Sequence, residues 1–112
     1  MKEDKPYLLH IKDAIEKIEK FMEGIDFKKF TENDMIQSAV IRQIEIIGEA
    51  TNHLSSTFME KHFEVPWTDI IGMRHKLIHD YFGVDLKKVW GTIKKDIPSL
   101  KKNIEDILEN LQ

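Results

Sequence analysis

Residues 8–25, LLHIKDAIEKIEKFMEGI, place Leu8, Ile11, Ile15, Ile18, Met22 and Ile25 at steps of three and four, with lysine and glutamate between them. Such steps follow the turn of an α-helix of about 3.6 residues, so one stripe is apolar and the rest polar. Gly24-Ile25-Asp26-Phe27 closes this first helix, and Thr31-Glu32-Asn33-Asp34 offers N-caps for a second. The second helix should run from about Asp34 to His53. Its buried stripe is Ile36, Val40, Ile44, Ile47 and Leu54, with Arg42, Glu45 and Glu49 on the opposite side. Gly48 inside it costs about 1 kcal/mol against alanine, which points to close approach of a neighbouring backbone.

The pattern continues to the C-terminus. Thr57 and Glu60 have capping-box spacing and fit a short third helix ending near Phe63. Pro66 reads as a first-turn proline of a fourth helix reaching about His79, and Gly83 then interrupts the pattern. Asp85 can cap a fifth helix whose apolar stripe runs from Leu86 through Trp90, Ile97 and Ile104 to Leu111. Pro98 must kink or split it, since proline lacks the ladder donor and collides with the preceding turn. No run of four or more residues reads as a strand. The expectation is an all-α, up-and-down bundle of four to five helices forming one domain over residues 1–112.

Composition narrows the functional classes. Hydrophobic residues are 41% and charged residues 33%, enough apolar material for a core and too much for a disordered chain. There is no cysteine, so a disulfide framework, a thiolate zinc site and a cysteine nucleophile are all excluded. The opening residues lack the apolar run of a signal peptide, and no stretch approaches the roughly 18 apolar residues of a membrane span. A cytoplasmic protein is expected. The net charge of −3 is unequally placed: residues 70–102 hold eight Lys/Arg against three acids, and the remainder nine against seventeen. A basic region on an acidic body is compatible with an RNA substrate, although paired lysines are more often a solvated helix face.

The densest group of reactive side chains is Arg74-His75-Lys76-Leu77-Ile78-His79-Asp80-Tyr81. Arginine grips a phosphate with parallel donors, and histidine moves protons near neutrality. RNA cleavage needs those parts: a 2′-hydroxyl loses its proton, the 5′-oxygen gains one, and charge on the non-bridging oxygens is stabilised, with no metal or cofactor. On an unbroken helix, five residues turn by about 500°, leaving Arg74 and His79 about 140° apart. Either the helix ends near His79 or a second copy of the chain completes the site, and the second option supplies both a base and an acid. The commoner structural reading pairs Arg74 with Glu45 or Glu49 and leaves His79 at a helix C-terminus. A metal reading through His75, His79 and Asp80 is weaker, because His-x3-His lacks the glutamate of a metalloprotease motif. His10, His53 and His62 read as isolated surface or boundary residues. Trp67 and Trp90 read as core or interface anchors, and Tyr81 as a packing aromatic with its hydroxyl in water.

Arg74-x4-His79-x-Tyr81 resembles the Arg-x4-His-x-Tyr motif of HepT-like toxins, within the looser Arg-x4–6-His pattern of HEPN ribonucleases. Its surroundings resemble the same family in the same order: Ala39 to Arg42, Glu45 to Ala50, Pro66 to Met73, and Tyr81 to Asp85. The resemblance extends from about Tyr7 to about Leu108. It implies a HEPN fold, a homodimer with paired motifs lining an RNA cleft, and a metal-independent endoribonuclease serving as the toxin of a type II toxin–antitoxin pair. In that scheme Arg74 binds phosphate and His79 carries protons. His75, where the family often has Asn or Asp, supports the site. The implied partner is an MNT-type nucleotidyltransferase antitoxin, which silences the toxin by AMPylation of Tyr81. The alternative is a non-catalytic helical module that binds such a transferase or is its substrate.

Overall fold

The computed structural model describes residues 2–79 and 83–111, with backbone only at positions 2, 78, 79, 83 and 84. A 3-10 turn, Lys2–Asp4, leads into α1, Lys5–Phe21, which buries Leu8, Ile11, Ala14, Ile15 and Ile18. The helix stops four residues short of Ile25. Gly24 takes φ 69°, a left-handed conformation open to a residue without Cβ, and the Ile25 N–H returns to the Met22 carbonyl at 3.0 Å. Asp26 then caps a short α2, Phe27–Thr31, by accepting the Lys29 N–H at 2.8 Å. The sequence reading treated this stretch only as a helix end.

Asn33 caps α3, Asp34–Asn52, accepting the Ile36 N–H at 3.0 Å. Val40, Ile44 and Ile47 are buried in the principal contact of the fold, between α3 and α1. The expected close approach at Gly48 is present: a Cβ there would lie 3.4 Å from the Ile71 carbonyl oxygen. α4, Ser56–Lys61, is capped by Ser55, whose Oγ accepts the Phe58 N–H at 3.2 Å, so the Thr57/Glu60 capping box is not the one used and the helix ends before Phe63. Asp4, itself buried, accepts both the Ser55 N–H at 2.7 Å and its hydroxyl at 2.9 Å, tying the N-terminal turn to the α3–α4 corner.

The fourth helix of the sequence reading is two helices. α5, Trp67–Ile71, ends at Gly72, and α6, Met73–Leu77, follows it. Glycine weakens a helix interior, and here it falls where the carbonyls of Ile70 and Ile71 are pressed against Gly48. α6 stops at Leu77, not His79. The Asp85 N–H bonds to the Leu77 carbonyl at 2.9 Å, and two short strands, β1 (Ile78–His79) and β2 (Gly83–Val84), pair antiparallel with His79 opposite Gly83.

The fifth helix is also divided. α7, Leu86–Gly91, is capped by Asp85 and passes into a π-helical turn, Thr92–Asp96, before α8, Ile97–Asn110. The Ile97 N–H bonds to the Thr92 carbonyl, five residues back. This widened turn immediately precedes Pro98, which sits in the first turn of α8, where a missing N–H costs little. α8 packs on α1, burying Leu100, Ile104 and Ile107. The described residues form an all-α structure of eight α-helices around a single apolar cluster, with β1 and β2 as its one strand pair.

Candidate functional site

Arg74 projects from α6 toward α3. Its Nε donates to Glu45 Oε2, a carboxylate 29 positions away in sequence. α3 reaches this place because Gly48 lets its backbone lie against the end of α5, and α6 begins immediately beyond. The pair is unequally exposed: the Arg74 side chain is 51% accessible and that of Glu45 26%. A guanidinium has five N–H donors in a planar fork. Among the described residues Glu45 is the sole hydrogen-bond partner of Arg74, through Nε, so the two terminal nitrogens keep their donors for an anion.

An open depression of about 290 Å³ adjoins the pair, lined by Glu45, Gly48, Glu49, Asn52, Ile71, Arg74 and His75. Glu45, Glu49 and Asn52 follow one another at i, i+4 and i+7 along α3 and form one wall. Arg74 and His75 form the other. The structural reading of the sequence pairs Arg74 with Glu45 or Glu49, and the partner is Glu45. Asn52 went unnoticed, although its seven-residue distance from Glu45 was the available signal. Arg42, grouped with the two glutamates by spacing, does not line the depression.

The remaining candidates are distributed as follows. His79 lies on β1, so the 140° separation calculated for a continuous helix does not apply. Tyr81 and Asp80 are outside the described residues. Among the described residues no group of three His, Cys, Asp or Glu side chains could hold a metal ion. Lys76 turns to Asp69, at 3.7 Å. Trp67 is buried and donates Nε1–H to the His62 carbonyl at 3.0 Å, an anchor as read from sequence. His53 stacks on Tyr7 with ring centroids 5.1 Å apart, and His10 meets the same ring edge-on.

The family model described as "Ribonuclease HepT-like" matches residues 11–107. The chain belongs to the HepT-like ribonuclease family. Among HepT-like relatives, a protein of Thermococcus cleftensis named "Probable ribonuclease HepT" is 48% identical over 103 residues, covering 92% of this chain and 94% of its own. One of Caldanaerobacter subterraneus subsp. tengcongensis, named "Putative RNase", is 46% identical over 109 residues and 97% of both chains. No solved structure matches the chain. The all-α architecture is the HEPN fold expected of a HepT-like chain. No helix among the described residues is long and apolar enough to cross a membrane.

Proposed function

We propose that this HepT-like chain is a metal-independent endoribonuclease that works as a homodimer in the cytoplasm, as the toxin of a type II toxin–antitoxin pair. The observation that carries the reading is the held but unspent guanidinium of Arg74: fixed by Glu45 through one nitrogen, half exposed beside His75, and five residues before His79. Glu45 orients the fork, and the terminal nitrogens receive the non-bridging oxygens of a phosphodiester. The His79 of one subunit removes the 2′-hydroxyl proton as the 2′-oxygen bonds to phosphorus. The P–O5′ bond breaks, and the His79 of the other subunit protonates the leaving oxygen. The products are a 2′,3′-cyclic phosphate and a 5′-hydroxyl. His75 supports this arrangement from the wall it shares with Arg74.

Regulation follows from charge. An MNT-type nucleotidyltransferase would direct the Tyr81 hydroxyl to the α-phosphorus of ATP, forming a phosphodiester and releasing pyrophosphate. The added phosphate would be an anion close in sequence to Arg74, able to occupy its free donors and repel RNA. The second reading, a non-catalytic module that holds the transferase, draws on the same Arg74–Glu45 pair, which would also serve as a plain structural link between α3 and α6.

Mixing separates the two. Exchange of wild-type chains with an excess of His79→Ala chains should abolish RNA cleavage, because a mixed dimer keeps only one of the two histidines, and light scattering should give about twice the chain mass of 13.2 kDa. A stable monomer, or a dimer that cleaves no RNA, favours the binding module. Incubation with the transferase and ATP should add AMP to the Tyr81 peptide, and Tyr81→Phe should abolish the addition.

A further inference from the structure

Three lysines elsewhere on this molecule find acids: Lys17 meets Asp13, Lys76 meets Asp69, and Lys101 meets Glu19. Around the start of the divided C-terminal helix the lysines do not. Lys87, Lys88, Lys94 and Lys95 are exposed, as are Lys28 and Lys29 on α2, and none of the six makes an ion pair among the described residues. The nearest acids in sequence are engaged by backbone, Asp26 capping α2 and Asp85 capping α7, while Asp96 is exposed beyond Lys95. On a chain of net charge −3, six lysines against these three acids leave the face with an excess of positive charge.

The same face carries flat rings. Trp90 is half-buried, with Phe30 behind it at 5.8 Å and Phe27 edge-on at 5.4 Å. The Lys94 ammonium stands over the Trp90 ring, 4.7 Å from its centroid. Lys87, three residues before Trp90, shares its side of the helix. Phe27, 36% exposed, extends the rings onto α2 beside Lys28. From Lys87 to Lys94 the helix rises about 10 Å, a length that about three nucleotides stacked at ~3.4 Å would cover.

We infer that this face of α2, α7 and the π turn is a second contact surface for single-stranded RNA, in which Lys87 and Lys94 hold phosphates and the exposed ring of Phe27, backed by Trp90, receives a base. The inference rests on the ribonuclease reading, and it adds a binding surface to a site otherwise built on α3, α5, α6 and β1. Cations beside exposed aromatic rings suit a nucleic-acid strand: phosphate takes the charge, and any base has a face to stack. The element that carries this surface is joined to the catalytic segment, because α7 packs on α6 and the Asp85 N–H is bonded to the Leu77 carbonyl.

The test measures binding apart from cleavage. A labelled 2′-O-methyl oligoribonucleotide of about ten residues cannot be cut by 2′-oxygen attack, and its affinity for the full chain is read by fluorescence anisotropy across a salt series. The double variant Lys87→Glu/Lys94→Glu should bind roughly tenfold or more weakly, and the slope of log affinity against log salt should shrink by about 0.7 for each phosphate that is no longer neutralised. Phe27→Ser should weaken binding about fivefold or more with the slope unchanged, as removal of a stacking ring does. Both variants should cleave a dinucleotide at the wild-type rate, and circular dichroism should confirm the fold. Unchanged affinity and slope in the charge-reversed variant, with cleavage of long RNA intact, would overturn this surface alone and leave the lysines for an acidic protein partner. A wild-type chain that neither binds the oligonucleotide nor cuts RNA would overturn both readings.

Discussion

Among the described residues two ion pairs join distant segments of this protein, and they leave their cations in different states. Lys101 on α8 reaches Glu19 on α1 at 2.8 Å, and this pair lies along the packed helices. A lysine ammonium is a point charge, and the pKa of this one is raised above its ordinary value of 10.5, first by the hydrogen bond to Glu19 and then by the charge of Glu19, against an opposing cost of desolvation that outweighs the separate contributions of Glu105 and Glu16. Arg74 reaches Glu45 through Nε, and the rest of its planar fork remains available beside a depression. The first pair satisfies its cation. The second aims it. Surface ion pairs of either kind contribute little stability, so the difference should appear in activity.

Arg74→Ala should produce the largest separation, lowering RNA cleavage on the order of a hundredfold or more with the fold retained, as when a charge-stabilising group is removed. Gly48→Val comes next. Its extra carbons would meet the Ile71 carbonyl, where a Cβ would already lie at 3.4 Å. Stability should fall by about 1–3 kcal/mol as α3 and α5 are forced apart, and chemical denaturation measures it. Glu45→Gln keeps the shape of the side chain and removes its charge. It should cost about tenfold in kcat with KM nearly unchanged, because the arginine is still present but less firmly held. An equal loss of KM and kcat in the Glu45 variant would make the carboxylate a binding group instead of a positioning one.

Lys101→Met should have the smallest effect and none on cleavage. Because the folded-state value lies above 10.5, the contribution of this pair is fully present below pH 10.5 and is lost as pH rises through the raised folded value. Across about pH 6 to 9, assayed by thermal melting, the difference between Lys101→Met and the parent chain should therefore be flat. A difference that grows within that window would mean that another titrating group governs the contact.

The helical core was legible because it is repetitive. Leu8, Ile11, Ile15 and Ile18 announce one buried face, and Val40, Ile44 and Ile47 another, and both are buried as expected. Helix ends were less legible, since several competing side chains can cap. Ser55 was chosen over Thr57, and it is further held by Asp4, 51 residues earlier in the chain. Long-range contacts of that kind leave no local trace. The break at Gly72 likewise leaves no local trace, since it falls where α3 is packed against the neighbouring carbonyls. Pro98 announced a disruption, but not that a π turn would absorb it.

At the candidate site, the residue types were legible and the geometry was not. Arg74, His75 and Glu45 could be named from chemistry and spacing, whereas the depression they share depends on Gly48 bringing α3 close. Helical extrapolation to His79 failed because the backbone leaves the helix after Leu77 and enters a strand pair. Trp90, read as an anchor, does pack on Phe30, yet a lysine stands over its ring.

The most direct measurement is end-group analysis of a defined RNA incubated with metal-free wild-type, Arg74→Ala and His79→Ala proteins, with and without a chelator. The account predicts 2′,3′-cyclic phosphate and 5′-hydroxyl ends from the wild type, undiminished by the chelator. Each variant should lose about a hundredfold or more. Cleavage that survives His79→Ala, or that disappears with the chelator, would contradict it.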